Sequence, residues 1–111
     1  MSNLVKLKLN NNAIEKIENL ESLKNLRELD LSFNQITVME NLNDLSNLEV
    51  LSLYHNKIEV IQGIEQIQSL TIFSIGQNSI KDSDHVRKRN FYFQKKFEFY
   101  FNISLNYLFF F

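Results

Sequence analysis

The 111-residue chain has no cysteine, no proline and no tryptophan, and only two glycines. Without cysteine there is no disulfide framework, no thiolate metal site and no cysteine nucleophile, and the absence fits a reducing, intracellular setting. Two glycines cannot build a glycine-rich phosphate loop, and neither G-x-x-x-x-G-K-[ST] nor G-x-G-x-x-G occurs. An excess of one charge sign is also missing overall, since 12 basic and 13 acidic residues leave a formal net charge of −1. That balance conceals two unlike parts. Residues 1–84 carry seven Lys or Arg against twelve Asp or Glu, a net of −5, whereas residues 85–111 carry five against one, a net of +4. Eight of the ten Phe also lie between Phe91 and Phe111. The chain therefore divides into a domain over 1–84 and an aromatic, basic tail over 85–111.

What is abundant is self-similarity. Asn12, Asn34, Asn56 and Asn78 stand 22 residues apart, and each closes the same phrase. The phrases are Leu4-x-x-Leu7-x-Leu9-x-x-Asn12, Leu26-x-x-Leu29-x-Leu31-x-x-Asn34, Leu48-x-x-Leu51-x-Leu53-x-x-Asn56 and Leu70-x-x-Phe73-x-Ile75-x-x-Asn78. Apolar residues recur after each Asn, as Ile14, Ile17, Leu20 and Leu23, as Ile36, Met39, Leu42 and Leu45, and as Ile58, Ile61, Ile64 and Ile67. The fourth repeat continues to Ile80 and fails at Ser83 and Arg89.

This pattern is identified as the leucine-rich repeat. Its x-L-x-L-x part has the period of two of a short strand, with leucines inward and the intervening residues outward. The Asn falls where the chain leaves the strand, and there it can satisfy backbone groups of its own turn and the neighbouring one. Apolar residues at every third position after the Asn predict 3₁₀ or irregular helical turns. The expected fold class is α/β: a solenoid of about four coils with a short parallel β-sheet on the concave face and helical turns on the convex face. No amphipathic cap precedes Leu4, so the N-terminal face is expected to be bare.

From Phe91 to Phe111 ten of eleven odd positions are apolar, and no Gly, Pro or Asn-Gly breaks the segment into a hairpin. Asn102, Ser104 and Asn106 interrupt the run, so no membrane span is expected. The tail is either a C-terminal cap on the last coil or non-native read-through sequence. The abrupt collapse of the repeat beside Val86-Arg87 favours read-through. Arg87-Lys88-Arg89 is short enough to be a solvated segment, and no nucleic-acid partner is expected.

No enzyme is expected. Glu28 and Asp30 project from one strand like a carboxylate pair, but outward strand positions of such repeats are ordinarily polar and nothing there excludes water. Asp30, Ser52 and His55 could be imagined as a triad, yet a shallow solenoid face offers neither an oxyanion hole nor a strained nucleophile turn. His55 and His85 share no ligand spacing, so neither a metal nor another cofactor is expected. The outward strand positions read better as a protein-binding surface. They run Lys6, Lys8, Asn10; Glu28, Asp30, Ser32; Val50, Ser52, Tyr54; and Ile72, Ser74, Gly76, so the face passes from basic through acidic to apolar. Val50 and Ile72 should be exposed neighbours, with Tyr54 nearby and Phe33 and His55 at the rim. The expected binding residues are Glu28, Asp30, Phe33, Val50, Ser52, Tyr54, His55, Ile72 and Ser74.

Among proteins with 22-residue repeats, several phrases resemble the family of dynein regulatory complex subunit 3. They are Ile14-Glu15-Lys16-Ile17-Glu18-Asn19-Leu20, Leu29-Asp30-Leu31-Ser32-Phe33-Asn34-Gln35-Ile36, Leu51-Ser52-Leu53-Tyr54-His55-Asn56-Lys57-Ile58 and Ser74-Ile75-Gly76-Gln77-Asn78-Ser79-Ile80. The resemblance implies a non-enzymatic subunit of the nexin-dynein regulatory complex in the axoneme of motile cilia or flagella. Its partners would be other subunits of that complex and axonemal proteins, in a hetero-oligomeric assembly. The coiled coils that follow the repeats in that family have no counterpart here. The repeat class is also similar to the leucine-rich regulatory subunit of protein phosphatase 1, for which Glu28, Asp30 and Tyr54 could serve as contacts, and to axonemal dynein light chain 1.

Overall fold

The computed structural model describes residues 3–64 and 66–80. The expectations placed on the tail, on His85 and on a boundary near residue 84 lie outside these residues. Four strands follow one another in the chain: β1 (Lys6–Lys8), β2 (Glu28–Asp30), β3 (Val50–Ser52) and β4 (Ile72–Ser74). They form one parallel sheet in the order β1-β2-β3-β4. The register preserves the 22-residue spacing, pairing Lys6 with Glu28, Glu28 with Val50 and Val50 with Ile72. Each strand is three residues long with its central residue on the core side: Leu29, Leu51 and Phe73 are buried, and the flanking residues are half-buried or exposed. Parallel neighbours need a crossover, and the remainder of each repeat provides it.

The crossovers differ from the expected helical turns. Among the described residues none is helical. Each convex segment instead makes isolated i→i+3 turns: Leu23 and Leu26 donate to Leu20 and Leu23, Leu45 and Leu48 to Leu42 and Leu45, and Ile67 and Leu70 to Ile64 and Ile67. The spacing of three is that of a 3₁₀ helix, and these backbone bonds start from every third amide. A helix needs consecutive bonds, and these turns do not form a consecutive run.

Two polar ladders tie the coils together. Asn34 Nδ2 donates to the carbonyls of Leu9, Leu31 and Ser32, at 3.0, 3.0 and 3.2 Å, while its Oδ1 accepts from Ile14 N at 3.1 Å. Asn56 repeats the pattern on Leu31, Leu53, Tyr54 and Ile36. Asn78 repeats it on Leu53, Ile75, Gly76 and Ile58. Among the described residues Asn12 makes only the two bonds within its own coil, to Leu9 and Asn10, and it is exposed. On the convex side, Asn41 Nδ2 donates to Ile17 O at 2.7 Å and Asn47 Nδ2 to Lys24 O at 2.8 Å.

Two turns per coil adopt the left-handed region. One row is Asn11, Phe33, His55 and Gln77, at φ 60°, 57°, 58° and 55°, and the other is Asn19, Asn41 and Gly63, at 64°, 60° and 77°. Both rows keep the 22-residue spacing. The core is a single stack from Ile17 to Ile75, against which Leu4, Leu7, Leu9, Ile14 and Ile80 are only partly buried.

Candidate functional site

The outward side chains of the strands form two rows across the sheet. Lys6, Glu28, Val50 and Ile72 make one, and Lys8, Asp30, Ser52 and Ser74 make the other. Strands about 4.8 Å apart put each residue beside its counterpart in the next coil. Ile72 is 42% exposed. Val50, expected to stand equally free, is half-buried, because a strand flanks it on either side.

The charged end of the face is already partly paired. Lys6 Nζ lies 3.6 Å from Glu28 Oε2 across the β1–β2 step. Asp30 is held differently: its Oδ1 accepts from the backbone N–H of Ser32 at 3.0 Å and from the Ser32 hydroxyl. This local clamp fixes the carboxylate at the strand exit, as short polar side chains commonly do in turns. It involves Ser32, a buried residue that the alternation alone places outward. The D-x-S spacing at a strand end is the signal that could have found it. Among the described residues Asp30 has no ion pair, although Lys8 is its strand neighbour. A shallow groove runs along this part of the face, lined by Leu7, Lys8, Glu28, Leu29, Asp30, Val50 and Ser52.

Phe33, Tyr54 and His55 form an aromatic cluster at the strand exits. Phe33 and His55 are equivalent residues of successive coils, and their rings stack with centroids 4.9 Å apart and planes 18° from parallel. Tyr54 meets Phe33 edge-on at 5.7 Å, a geometry in which the positive ring edge faces the neighbour's negative π-face. Phe33 remains 44% exposed. The residue pairing is visible in the sequence as a 22-residue repeat of position, but ring stacking depends on the left-handed backbone that aims both side chains outward at the turn.

The residues imagined as a triad are not assembled into one. The Asp30 carboxylate is engaged by Ser32, and the His55 ring lies on Phe33. Among the described residues no three His, Asp or Glu side chains converge as metal ligands. No helix there is long and apolar enough to cross a membrane.

Residues 2–47 and 46–88 each match the family described as leucine rich repeats (2 copies). No curated protein matches the chain significantly. Among solved structures, an internalin C2 from Listeria monocytogenes is 33% identical with a TM-score of 0.65, over 77% of this chain and 38% of its own. A second internalin from the same species is 26% identical with a TM-score of 0.67, over 80% of this chain and 26% of its own. A leucine-rich repeat protein of Leptospira interrogans is 26% identical with a TM-score of 0.71, over 91% of this chain and 25% of its own. The chain thus spans well under half the length of each.

Proposed function

The chain belongs to the leucine-rich repeat family, and on that footing we propose that its concave face, from Glu28 to Ser74, docks a protein partner. Members of this family serve as protein–protein interaction scaffolds and are generally non-enzymatic. The observation that carries the reading is the continuous register Glu28, Val50, Ile72, which sets an acidic group beside two aliphatic ones on a regular surface. Phe33, Tyr54 and His55 extend the apolar part beyond the strand ends. Large apolar anchors flanked by polar groups are the usual composition of an interface centre. Val50→Asp and Ile72→Asp should each weaken partner capture by roughly tenfold or more while leaving the thermal melt in place. Undiminished capture by both variants would overturn the assignment.

The finer reading is that the partner is axonemal. The chain would act as a subunit of the nexin-dynein regulatory complex of motile cilia or flagella, binding other subunits in a hetero-oligomeric assembly that helps to control dynein. Supporting it are the phrases from Leu29 to Ile36 and from Leu51 to Ile58, which resemble that complex's leucine-rich subunit. Fractionation of ciliated cells tests it. Salt-resistant retention in isolated axonemes is expected, whereas recovery in the soluble fraction with a phosphatase catalytic subunit would replace this reading.

A further inference from the structure

The concave face carries one acidic group that the fold holds in place but does not neutralise. Glu28 is matched by Lys6, whereas the Asp30 carboxylate is fixed through Oδ1 by Ser32 and has no cationic partner among the described residues. Its Oδ2 accepts no hydrogen bond from them. Asp30 sits beside Ser52 in the register, and Tyr54 lies two residues further along the same coil, half-buried and outward. Two residues along a strand advance roughly 6.7 Å and one strand step about 4.8 Å, so the carboxylate and the phenol ring are within the span of one long cationic side chain. On the other side of Asp30, the Val50–Ile72 row offers aliphatic surface a similar distance away. The surrounding sequence is acidic too, with seven basic against twelve acidic residues over 1–84.

A planar guanidinium suits this arrangement better than an ammonium. With Oδ1 taken up by Ser32, it can donate to the free Oδ2 while its flat face lies on an aromatic ring, a pairing of contacts that a tetrahedral ammonium does not make. We propose that the concave face selects a partner segment bearing an arginine close to an aliphatic side chain, with the guanidinium paired to Asp30 against Tyr54 and the aliphatic group seated on the Val50–Ile72 row. This rests on the concave-face reading above and adds the chemistry of the partner to it.

A random dodecapeptide library displayed on phage, selected against the full chain, tests the proposal. Enriched sequences should carry Arg within two or three residues of Leu, Ile, Val or Met. Replacing that Arg by citrulline in a synthetic copy of the leading peptide should weaken binding roughly five- to tenfold. Asp30→Asn should produce the same loss, and citrulline should then cost nothing further. Asn retains an acceptor for the Ser32 amide, so this variant keeps the strand-exit clamp and an unchanged melt is its folding control. Peptides that lose binding on Ile72→Asp but show no preference for Arg would overturn the arginine assignment and leave the face intact. Peptides indifferent to Asp30, Val50 and Ile72 would overturn both, and a library that yields no enrichment would overturn the proposal.

Discussion

Asn56 and Asn12 occupy the same place in the repeat and differ in what surrounds them. Asn56 is buried, donates to three carbonyls and accepts from the Ile36 amide of the preceding coil. Asn12 is exposed and makes two local bonds. Removing the Asn56 side chain leaves buried backbone groups without partners, which costs more than the net value of the bonds themselves. Asn56→Ala should therefore destabilise by about 2–4 kcal/mol and Asn12→Ala by no more than about 1 kcal/mol, as read by urea denaturation. A second contrast lies in the convex row of left-handed residues. Asn41, at φ 60°, reaches Ile17 O; Gly63, at φ 77°, stands where the corresponding acceptor is Met39 O, which lies 3.4 Å from where its Cβ would be. Met39 O already accepts from Gln62 Nε2 at 3.3 Å, but a carbonyl has a second lone pair. Gly63→Asn should stabilise by about 0.5–1 kcal/mol, through the added bond and a less flexible unfolded chain. Gly63→Ala gains no bond and takes on the left-handed strain that glycine escapes, and should destabilise by about 1 kcal/mol.

At the scale of elements, the strands were legible in the sequence and the crossovers only in part. L-x-x-L-x-L fixes which residues face inward, and the 22-residue spacing fixes the register, because a shift of one residue would turn Leu29, Leu51 and Phe73 out of the core. The candidate face followed from the same alternation, which is why Glu28, Asp30, Val50, Ser52, Ile72 and Ser74 could be placed on it. The alternation does not give the Asp30–Ser32 clamp, for which the D-x-S spacing is the separate signal, or the Phe33–His55 stack, since both arise in turn geometry after it ends. Apolar spacing of three in the convex segments likewise says which side chains are buried but not how many amides bond. Leu45 and Leu48 amides donate at 3.1 Å each, whereas the Ser46 and Asn47 amides have no protein acceptor among the described residues. Residue-resolved hydrogen exchange should find the leucine amides protected and the two between them fast. Uniform protection across Leu45 to Leu48 would mean a continuous helical turn instead.

Across the whole molecule, burial grows from the first coil inward, and stability should follow it. Leu7, Leu29, Leu51 and Phe73 are equivalent in register, yet Leu29, Leu51 and Phe73 are all but inaccessible and Leu7 is only half-buried. A hollow lined by Leu9, Ile14, Ile17, Leu20 and Leu31 lies between residues of the first coil and Leu31 of the second. In a solenoid each coil touches only its neighbours, and among the described residues the first coil has a neighbour on one side where the third has one on both. Truncating Leu51 opens a cavity bounded by packed coils on both sides, at a cost of about 3 kcal/mol or more. Truncating Leu7 removes methyl groups that already meet water and leaves no closed cavity, so about 1 kcal/mol is expected. Urea melts of Leu7→Ala and Leu51→Ala check this directly. Equal losses would mean that the first coil is as fully enclosed as the third, and that the nearest-neighbour account of this fold fails at its N-terminal end.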